Sequence, residues 1–375
     1  MKGLYELLDE CPKNKTIADA MVIASAKVRN YDKIACSISG GSDSDILIDM
    51  LAKLDPDKKI KYLFINPGLE YEATKKHLKK LEEKYEVEIQ KVRPEKPIPV
   101  CCKEYGQPFI SKIVSKMIQR LQRHHFEWED DTFENLLKKY CTEVKKEDAF
   151  NSNGEKKKKV IEVNGKYYKG CGSALAWWCN ENGENSRFNI SRNKYLKEFM
   201  IKNPPQHKIS ANCCDKSKKE PIHTFLEENG IELNIYGVRK AEGGIRSSSY
   251  KNCFTSKDEI DEYRPLFWMK QDDKVQYEEH YKICHSDCYE KYGLKRTGCV
   301  GCPCSLKLKE ELDIVEKYEP KLFAAIWNVF GDSYRYTEQY KEFRKELETK
   351  EKTKEISKEE NGQFTLFEIF PNIMN

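Results

Sequence analysis

A run of six residues, Ser39-Gly40-Gly41-Ser42-Asp43-Ser44, stands where an apolar strand-like stretch stops and a helix-like pattern begins. Glycines at such a junction let backbone N–H groups turn toward an anion with no Cβ in the way. The helix start adds a partial positive charge, and the serines add hydroxyl donors. This chemistry suits the phosphates of a nucleotide. Asp43 has two readings: it caps the helix, or it helps hold a magnesium ion on the nucleotide. The loop lacks the Lys-Ser/Thr ending of a Walker A loop, which argues against phosphoryl transfer of that kind. The same residue types make a plain turn and helix cap; the flanking strand and helix favour phosphate.

Sulfur supplies the second group of candidates. Cys299-Val300-Gly301-Cys302 has the spacing at which two thiolates converge on one metal or cluster corner, with Pro303 stiffening the exit. Alone, the pair has three readings: a redox couple, half of a zinc site, or no function. The chain holds 15 cysteines, unevenly spaced. In the cytosol, where disulfides rarely persist, such a set suggests metal or cluster ligands together with inert buried thiols. Cys213, Cys214 and Cys253 offer further thiols from separate segments, with Cys304 as a spare. Cys36, inside a strand, is expected in the core, and Cys284 with Cys288 reads best as inert. Lys218, Lys219, Arg239 and Arg246 follow strand ends or helix starts, where a cation meets phosphate or sulfate; arginine's planar fork suits such oxyanions. A surface salt-bridge network with Asp215 and Glu242 is the alternative.

These residues need elements to place them. Residues 33–38, 61–65 and 87–92 read as strands, separated by helical patterns with Ile46, Leu47, Met50, Leu51 and Leu54 on one face and a charged helix from Glu70 to Tyr85. This succession predicts a parallel sheet, whose ligands bind beyond the carboxyl ends of the strands. Another strand is expected at 233–238. Residues 160–168 read as a hairpin turning at Asn164-Gly165, and 345–361 as a charged, weakly structured approach to the tail. The expected division is 1–124 and 191–250 for the nucleotide-binding domain, 125–190 for an insertion, 251–345 for a helical cysteine-bearing region and 346–375 for a tail.

Composition sets the outer bounds. Of 375 residues, 39% are hydrophobic and 34% charged, as expected of a soluble protein of one large or two modest domains. A formal net charge of +4 allows a nucleic-acid partner without arguing for one. Met1 to Glu10 carries acids where a secretory signal needs an apolar run, and no stretch is apolar enough to span a bilayer. A cytoplasmic protein with no membrane partner is the expectation.

Several segments, in order, resemble the phosphoadenosine-phosphosulfate (PAPS) reductase family within the PP-loop ATP pyrophosphatases. SGGSDS resembles that family's SGGxDS loop. Phe64 to Thr74, with Asn66-Pro67-Gly68, is similar to its second-strand motif, with Pro67 where a threonine is usual. Tyr105-Gly106-Gln107-Pro108 with Ser111-Lys112, Cys213-Cys214-Asp215 with Lys218, Lys219 and Pro221, and Gly237-Val238-Arg239-Lys240-Ala241-Glu242 with Arg246 resemble three more. Pro265-Leu266-Phe267-Trp268 with Asp272-Asp273, and Arg296-Thr297-Gly298-Cys299-Val300-Gly301-Cys302-Pro303, complete the set. The likeness spans roughly residues 30 to 310.

The resemblance implies a Rossmann-like, HUP-type α/β fold: a five-stranded parallel sheet with helices on both faces and a smaller helical, cysteine-bearing C-terminal region. It implies ATP on Ser39, Gly40, Gly41, Ser42, Asp43 and Ser44, with Asn66, Gly68 and Gly237 beside it and magnesium screening the charge. Attack on the α-phosphate would release pyrophosphate and leave an adenylated intermediate, with Asp43, Lys112, Arg239 and Arg246 as the candidate catalytic residues. A [4Fe–4S] cluster on Cys213, Cys214, Cys253, Cys299 and Cys302 is preferred to zinc, and sulfur would then displace AMP. Partners on this reading are a sulfur donor (sulfide or a cysteine desulfurase), an acceptor that is tRNA, DNA or a small metabolite, and a second copy in a homodimer. Reduction of PAPS or adenylyl sulfate to sulfite is the alternative; the Glu-Cys-Gly-Leu-His peptide of the assimilatory reductases has no counterpart here, as no cysteine follows Cys304. A non-catalytic nucleotide-binding component of a modification or defence complex is the third reading.

Overall fold

The computed structural model describes residues 4–141, 145–150, 156–161, 168–243, 249–257 and 259–369; side chains are described except at 145–150, 156–161, 168–169 and 354–369. The chain forms two compact units, Met1–Glu104 with Asn212–Val329, and Tyr105–Ala211 with Phe330–Asn375.

The first unit begins with helices α1 (Leu4–Asp9) and α2 (Lys15–Asn30). Asn14 caps α2 by accepting from the Ile17 N–H, and Ile17, Ala20, Met21, Ala24 and Val28 form its buried stripe. Strand β1 (Ile34–Ile38) is flanked on both edges and almost wholly buried, which explains its continuous apolar run. It leads into α3 (Ser42–Leu54), whose residues from Ser44 to Leu51 are all buried. Then follow β2 (Ile60–Ile65), α4 (Glu72–Tyr85), β3 (Ile89–Val92) and α5 (Ile98–Tyr105).

The second unit holds α6 (Lys112–Arg123), α7 (Phe133–Tyr140), the antiparallel pair β4 (Lys145–Phe150) and β5 (Lys156–Ile161), α8 (Tyr168–Trp178) and α9 (Leu196–Lys202). Its core joins Phe109, Ile118, Trp177, Trp178, Phe199 and Tyr336. The expected 160–168 hairpin is displaced. The paired strands lie upstream, Tyr168 opens α8, and Asn164-Gly165 lies outside the described residues.

The chain returns to the first unit at residues 212–228, an α-helix interrupted by a π turn (Asp215–Lys219). Strands β6 (Leu233–Tyr236), β7 (Phe254–Thr255) and β8 (Asp261–Tyr263) complete one sheet in the order β3-β2-β1-β6-β8-β7. The five strands from β3 to β8 pair in parallel, as the sequence suggested, and β7 adds an antiparallel edge. Cys36 on β1 faces Tyr62 on β2 and Ile235 on β6. Short helices Gln271–Tyr281, Asp287–Glu290 and Leu308–Tyr318 follow, then one long helix, Pro320–Ile369. That helix corrects the expected loose approach to the tail. Exposed pairs at helical spacing, Glu338–Lys341 and Arg344–Glu348, favour helix in a stretch whose polarity alone suggested coil. Among the described residues no helix is long and apolar enough to cross a membrane.

Candidate nucleotide-phosphate and thiol site

The sheet changes direction between β1 and β6: from β1 the chain adds β2 and β3 on one side, then β6 and β8 on the other. In open parallel sheets the crevice beyond the carboxyl ends at such a switch point is where ligands bind. The loop 39–44 leaves β1 there, and Gly237 to Arg239 leave β6 beside it. An ideal Cβ on Gly237 would sit 3.5 Å from both Cβ and O of Asp43, so the two segments touch.

The loop geometry depends on Gly40. Its φ is +68°, and a Cβ there would lie 2.6 Å from Thr74 Cγ2 on α4. Gly41 takes the N-cap position of α3 with no side-chain cap, leaving the first N–H groups of the helix to a ligand. Ser44 braces the turn: its hydroxyl accepts from the Ser39 N–H at 3.0 Å and lies 3.1 Å from Ser39 Oγ. Tyr289 and Thr297, whose hydroxyls are 3.1 Å apart, stand over Gly41, within 3.1 and 3.3 Å of where its Cβ would be. Asn66 turns back to accept from the Gly68 N–H at 3.1 Å, and Gly68 has φ +94°.

Asp43 is the electrostatic centre. Arg239 Nε donates to its two oxygens at 3.0 and 3.1 Å, and Lys274 Nζ donates to Oδ1 at 2.9 Å and also to Ser42 Oγ. Burial pulls the Asp43 carboxyl upward, but a hydrogen bond with Glu242 and the Lys274 and Arg239 cations hold it at about 2. Partial burial and that same bond push Glu242 the other way, upward, against the pull of Arg296 and Arg239. With both oxygens engaged by cations, Asp43 does not fit a magnesium ligand as it stands.

Deeper along α3, Asp45 is fully buried between two imidazoles, His77 Nε2 at 2.8 Å and His285 Nδ1 at 2.7 Å. The other nitrogen of His285 meets Glu278 Oε1 at 2.9 Å. Burial works to lower His285, yet its bonds to Asp45 and Glu278 raise it to about 9, so the ring is an imidazolium at neutral pH. One helical turn further, Asp49 accepts from Tyr277 at 2.7 Å and Tyr85 at 3.0 Å.

The Thr297 segment runs directly into the thiols. Cys299 interacts with Cys302, Cys214 and the ammonium of Lys218, and burial raises it to about 11. Cys304 bonds to Cys302 and lies near Cys214 and Cys213, while Cys213 reaches Cys102 and Cys214. Burial acts to lower Lys218, but Cys299 and Glu70 raise it on balance; Glu70, buried, is itself pushed up to about 7 by desolvation. The donors are all soft sulfur, the chemistry of iron–sulfur clusters and of zinc. Among the described residues no three of these sulfurs lie within 4.8 Å of one another. Four thiolates on one zinc would stand about 3.8 Å apart. The chemistry of this donor set suits either an iron–sulfur cluster or a zinc ion.

The structure therefore gathers Ser39 to Ser44, Gly237 and Arg239 around one loop, and Cys213, Cys214, Cys299 and Cys302 around another centre. Cys253 is placed elsewhere, packed against the main core near Tyr263 at the antiparallel sheet edge. Lys112 opens α6 in the second unit, and Arg246 lies outside the described residues. Sequence reasoning missed Lys274, Asp45, His285 and Cys102. None has a motif of its own; Asp45 and Lys274 read as the charged faces of their helices. A cavity of about 510 Å³, lined by His223, Asn234, Lys257 and Glu262, contains none of the loop residues.

No curated protein sequence matches the chain. Among solved structures, it is similar to a phosphoadenylyl-sulfate (PAPS) reductase from Candida auris in a phosphate complex, with 11% identity over 79% of this chain and 93% of that one and a TM-score of 0.38. It is also similar to the U34-tRNA thiolase NcsA from Methanococcus maripaludis with its [4Fe-4S] cluster, with 12% identity over 88% and 80% of the two chains and a TM-score of 0.31. An NH3-dependent NAD synthetase from Campylobacter jejuni matches at 12% identity over 86% and 95%, with a TM-score of 0.30. At these TM-scores the likenesses carry no argument. Residues 33–158 match the family model of the phosphoadenosine phosphosulfate reductase domain. Residues 33–158, about a third of the chain, thus resemble a phosphoadenosine phosphosulfate reductase domain.

Proposed function

We propose that the protein is an ATP-dependent sulfur-transfer enzyme that adenylates its acceptor. The observation that carries this reading is the uncapped start of α3 at the switch point, joined through Thr297 to a segment that enters a group of thiols. Nucleotide phosphates on the loop and sulfur chemistry a few residues beyond it would then serve one acceptor.

The α-phosphate would take the free N–H groups of α3 and the Ser42 hydroxyl. Arg239, held rigid by Asp43, would face the charge that develops as an acceptor oxygen attacks phosphorus. The new bond is O–Pα; the bond that breaks is Pα–O–Pβ, and pyrophosphate leaves with the electron pair. A sulfur nucleophile at the oxidation level of sulfide then forms a bond to the activated centre and expels AMP. Cys213, Cys214, Cys299, Cys302 and Cys304 would hold an iron–sulfur cluster, with Cys102 beside Cys213. When bound, that cluster supplies a place to keep sulfur reduced.

The test is anaerobic incubation with ATP, sulfide and either bulk tRNA or fragmented genomic DNA, followed by mass spectrometry of the digested nucleic acid. Sulfur in one nucleotide, formed only with ATP, is the expected result. Release of sulfite from radiolabelled PAPS, with no sulfur in either acceptor and no pyrophosphate from ATP, would establish reduction instead. Nucleotide binding with no turnover would favour a non-catalytic component.

A further inference from the structure

Strand β6 is buried along its whole length, yet it carries an asparagine. Asn234 is only 7% exposed and stands between Ala35 on β1 and Glu262 on β8. Asparagine is depleted in strands, and the neighbouring contacts of Ala35 with Leu226 and Ile231 are apolar. A break of this kind in the local pattern is a mark of functional sites. The Asn234 Oδ1 accepts from Ser37 Oγ at 2.9 Å, and its Nδ2 has no hydrogen-bond partner among the described residues. The side chain lines the cavity of about 510 Å³, which His223 of the helix Glu220–Glu228 and Glu259 of the β7–β8 connection also border.

Those two bordering residues belong to a group of three. His223 and Glu227 lie four apart on one helix face, with Nδ1 and Oε2 at 3.1 Å. Glu259 meets them from the β7–β8 connection, and one donor atom of each residue lies within 4.8 Å of the others. Three such atoms on one divalent ion would stand roughly 3–3.6 Å apart. All three side chains are exposed, so small rotations close the remaining gap. Charge favours a cation there. Two carboxylates face a single imidazole, and among the described residues neither Glu227 nor Glu259 pairs with a lysine or arginine. Lys257, the cation on the cavity wall, is engaged by Glu262 Oε1, while Glu262 Oε2 accepts from Arg264 and Tyr236. One imidazole and two carboxylates, with no sulfur, are donors for zinc, iron or manganese as divalent ions.

We propose that His223, Glu227 and Glu259 hold a divalent transition-metal ion at the rim of this cavity. Three protein ligands leave open positions, which water or a small ligand in the cavity would fill. The Nδ2 of Asn234 supplies a donor for that ligand from the cavity wall. The ion would also tie the helix Glu220–Glu228 to the β7–β8 connection. This centre is separate from loop 39–44 and from the thiols, none of which border the cavity, and it stands whether or not the protein transfers sulfur.

Titration of the full chain, prepared anaerobically, with Mn²⁺ tests it, the free ion being followed by electron paramagnetic resonance. Mn²⁺ prefers oxygen and nitrogen donors to thiolates, so the cysteines do not compete for it. One bound ion per chain is expected, and H223N and E259Q should each weaken binding at least about 10-fold. E228Q removes the next carboxylate on the same helix, outside the group of three, and should bind as the parent does. All these positions are exposed, so the variants should fold like the parent. No binding, or binding that H223N and E259Q leave unchanged, would overturn the proposal. Equal losses in E228Q and E259Q would also overturn it, because they would mark an adventitious ion only, drawn by the diffuse charge of the helix. Anomalous diffraction from parent crystals soaked in manganese chloride decides the point without a variant. A peak between His223, Glu227 and Glu259 supports the site, and its absence there refutes it.

Discussion

Replacing Gly40 with alanine should damage the loop through two separable terms. At φ +68° an alanine adopts the left-handed region at a cost of about 1 kcal/mol relative to glycine. Its Cβ would also lie 2.6 Å from Thr74 Cγ2, inside the distance any relaxed pair tolerates. Thr74 is fully buried and its hydroxyl is tied to Cys288 Sγ at 3.7 Å, so the methyl has little room to swing away. Overpacking of that kind costs roughly 1–3 kcal/mol. Together the terms predict a loss of about 2–4 kcal/mol, survivable for a domain whose total stability is on the order of 5–15 kcal/mol. The second term is removable. Thr74→Ser deletes the offending methyl, keeps the hydroxyl, and by itself should cost about 1 kcal/mol. Urea unfolding of G40A, T74S and the double variant forms a double-mutant cycle with a favourable coupling of about 1–2 kcal/mol. Affinity for α,β-methylene ATP should follow the same order, best restored in the double variant. Purely additive effects, or a G40A protein as stable as the parent, would show that the loop does not turn as described.

Other consequences follow from single contacts. His285 has its folded pKa raised to about 9, so its contribution to stability is complete below the ordinary imidazole value of about 6.5 and is lost as pH rises through 9; unfolding midpoints measured from pH 6 to 10 should fall more steeply in the parent than in H285N. Tyr277→Phe removes one buried hydrogen bond to Asp49, which keeps Tyr85 and Lys53, and should cost about 1–2 kcal/mol by urea titration. Glu319 receives the Glu72 and Ala73 N–H groups at the start of α4, so Glu319→Ala should cost about 1 kcal/mol with nucleotide affinity unchanged. Cys302→Ser, in the thiol group, should lower iron content and visible absorbance after anaerobic purification, while Cys253→Ser should leave both near the parent's. Stoichiometric zinc in a colourless parent protein would contradict the cluster assignment.

The parts of the site that lie near one another in sequence were legible there. The β1–loop–α3 unit announces itself because an apolar run, two glycines and a helical stripe occur within about twenty residues, each set by local backbone physics. The Cys299–Cys302 spacing is local in the same way. What was not legible depends on contacts across more than two hundred positions: Lys274 meets Asp43 from 231 residues away, and His285 meets Asp45 from 240. A lysine in a stretch such as Gln271 to Tyr281 reads as solvated, and only the packed helix shows that it is buried. The same blindness put Cys253 among the thiols, since sequence order does not say which sheet edge a cysteine borders, and passed over Cys102. The 345–361 stretch failed in the opposite sense. Its charge suggested coil, but paired charges at the stretch's start and just upstream, Glu338–Lys341 and Arg344–Glu348, favour a helix that runs into it.

The central claim is that the loop directs cleavage between the α and β phosphates of ATP. Anaerobic turnover of ATP labelled with phosphorus-32 at the α position, in the presence of sulfide and bulk tRNA or DNA fragments, addresses it most directly. The account predicts labelled AMP with one equivalent of pyrophosphate, and a rate at least about tenfold lower in R239Q, which removes a charge-assisted contact at the loop. Labelled ADP with inorganic phosphate would contradict it.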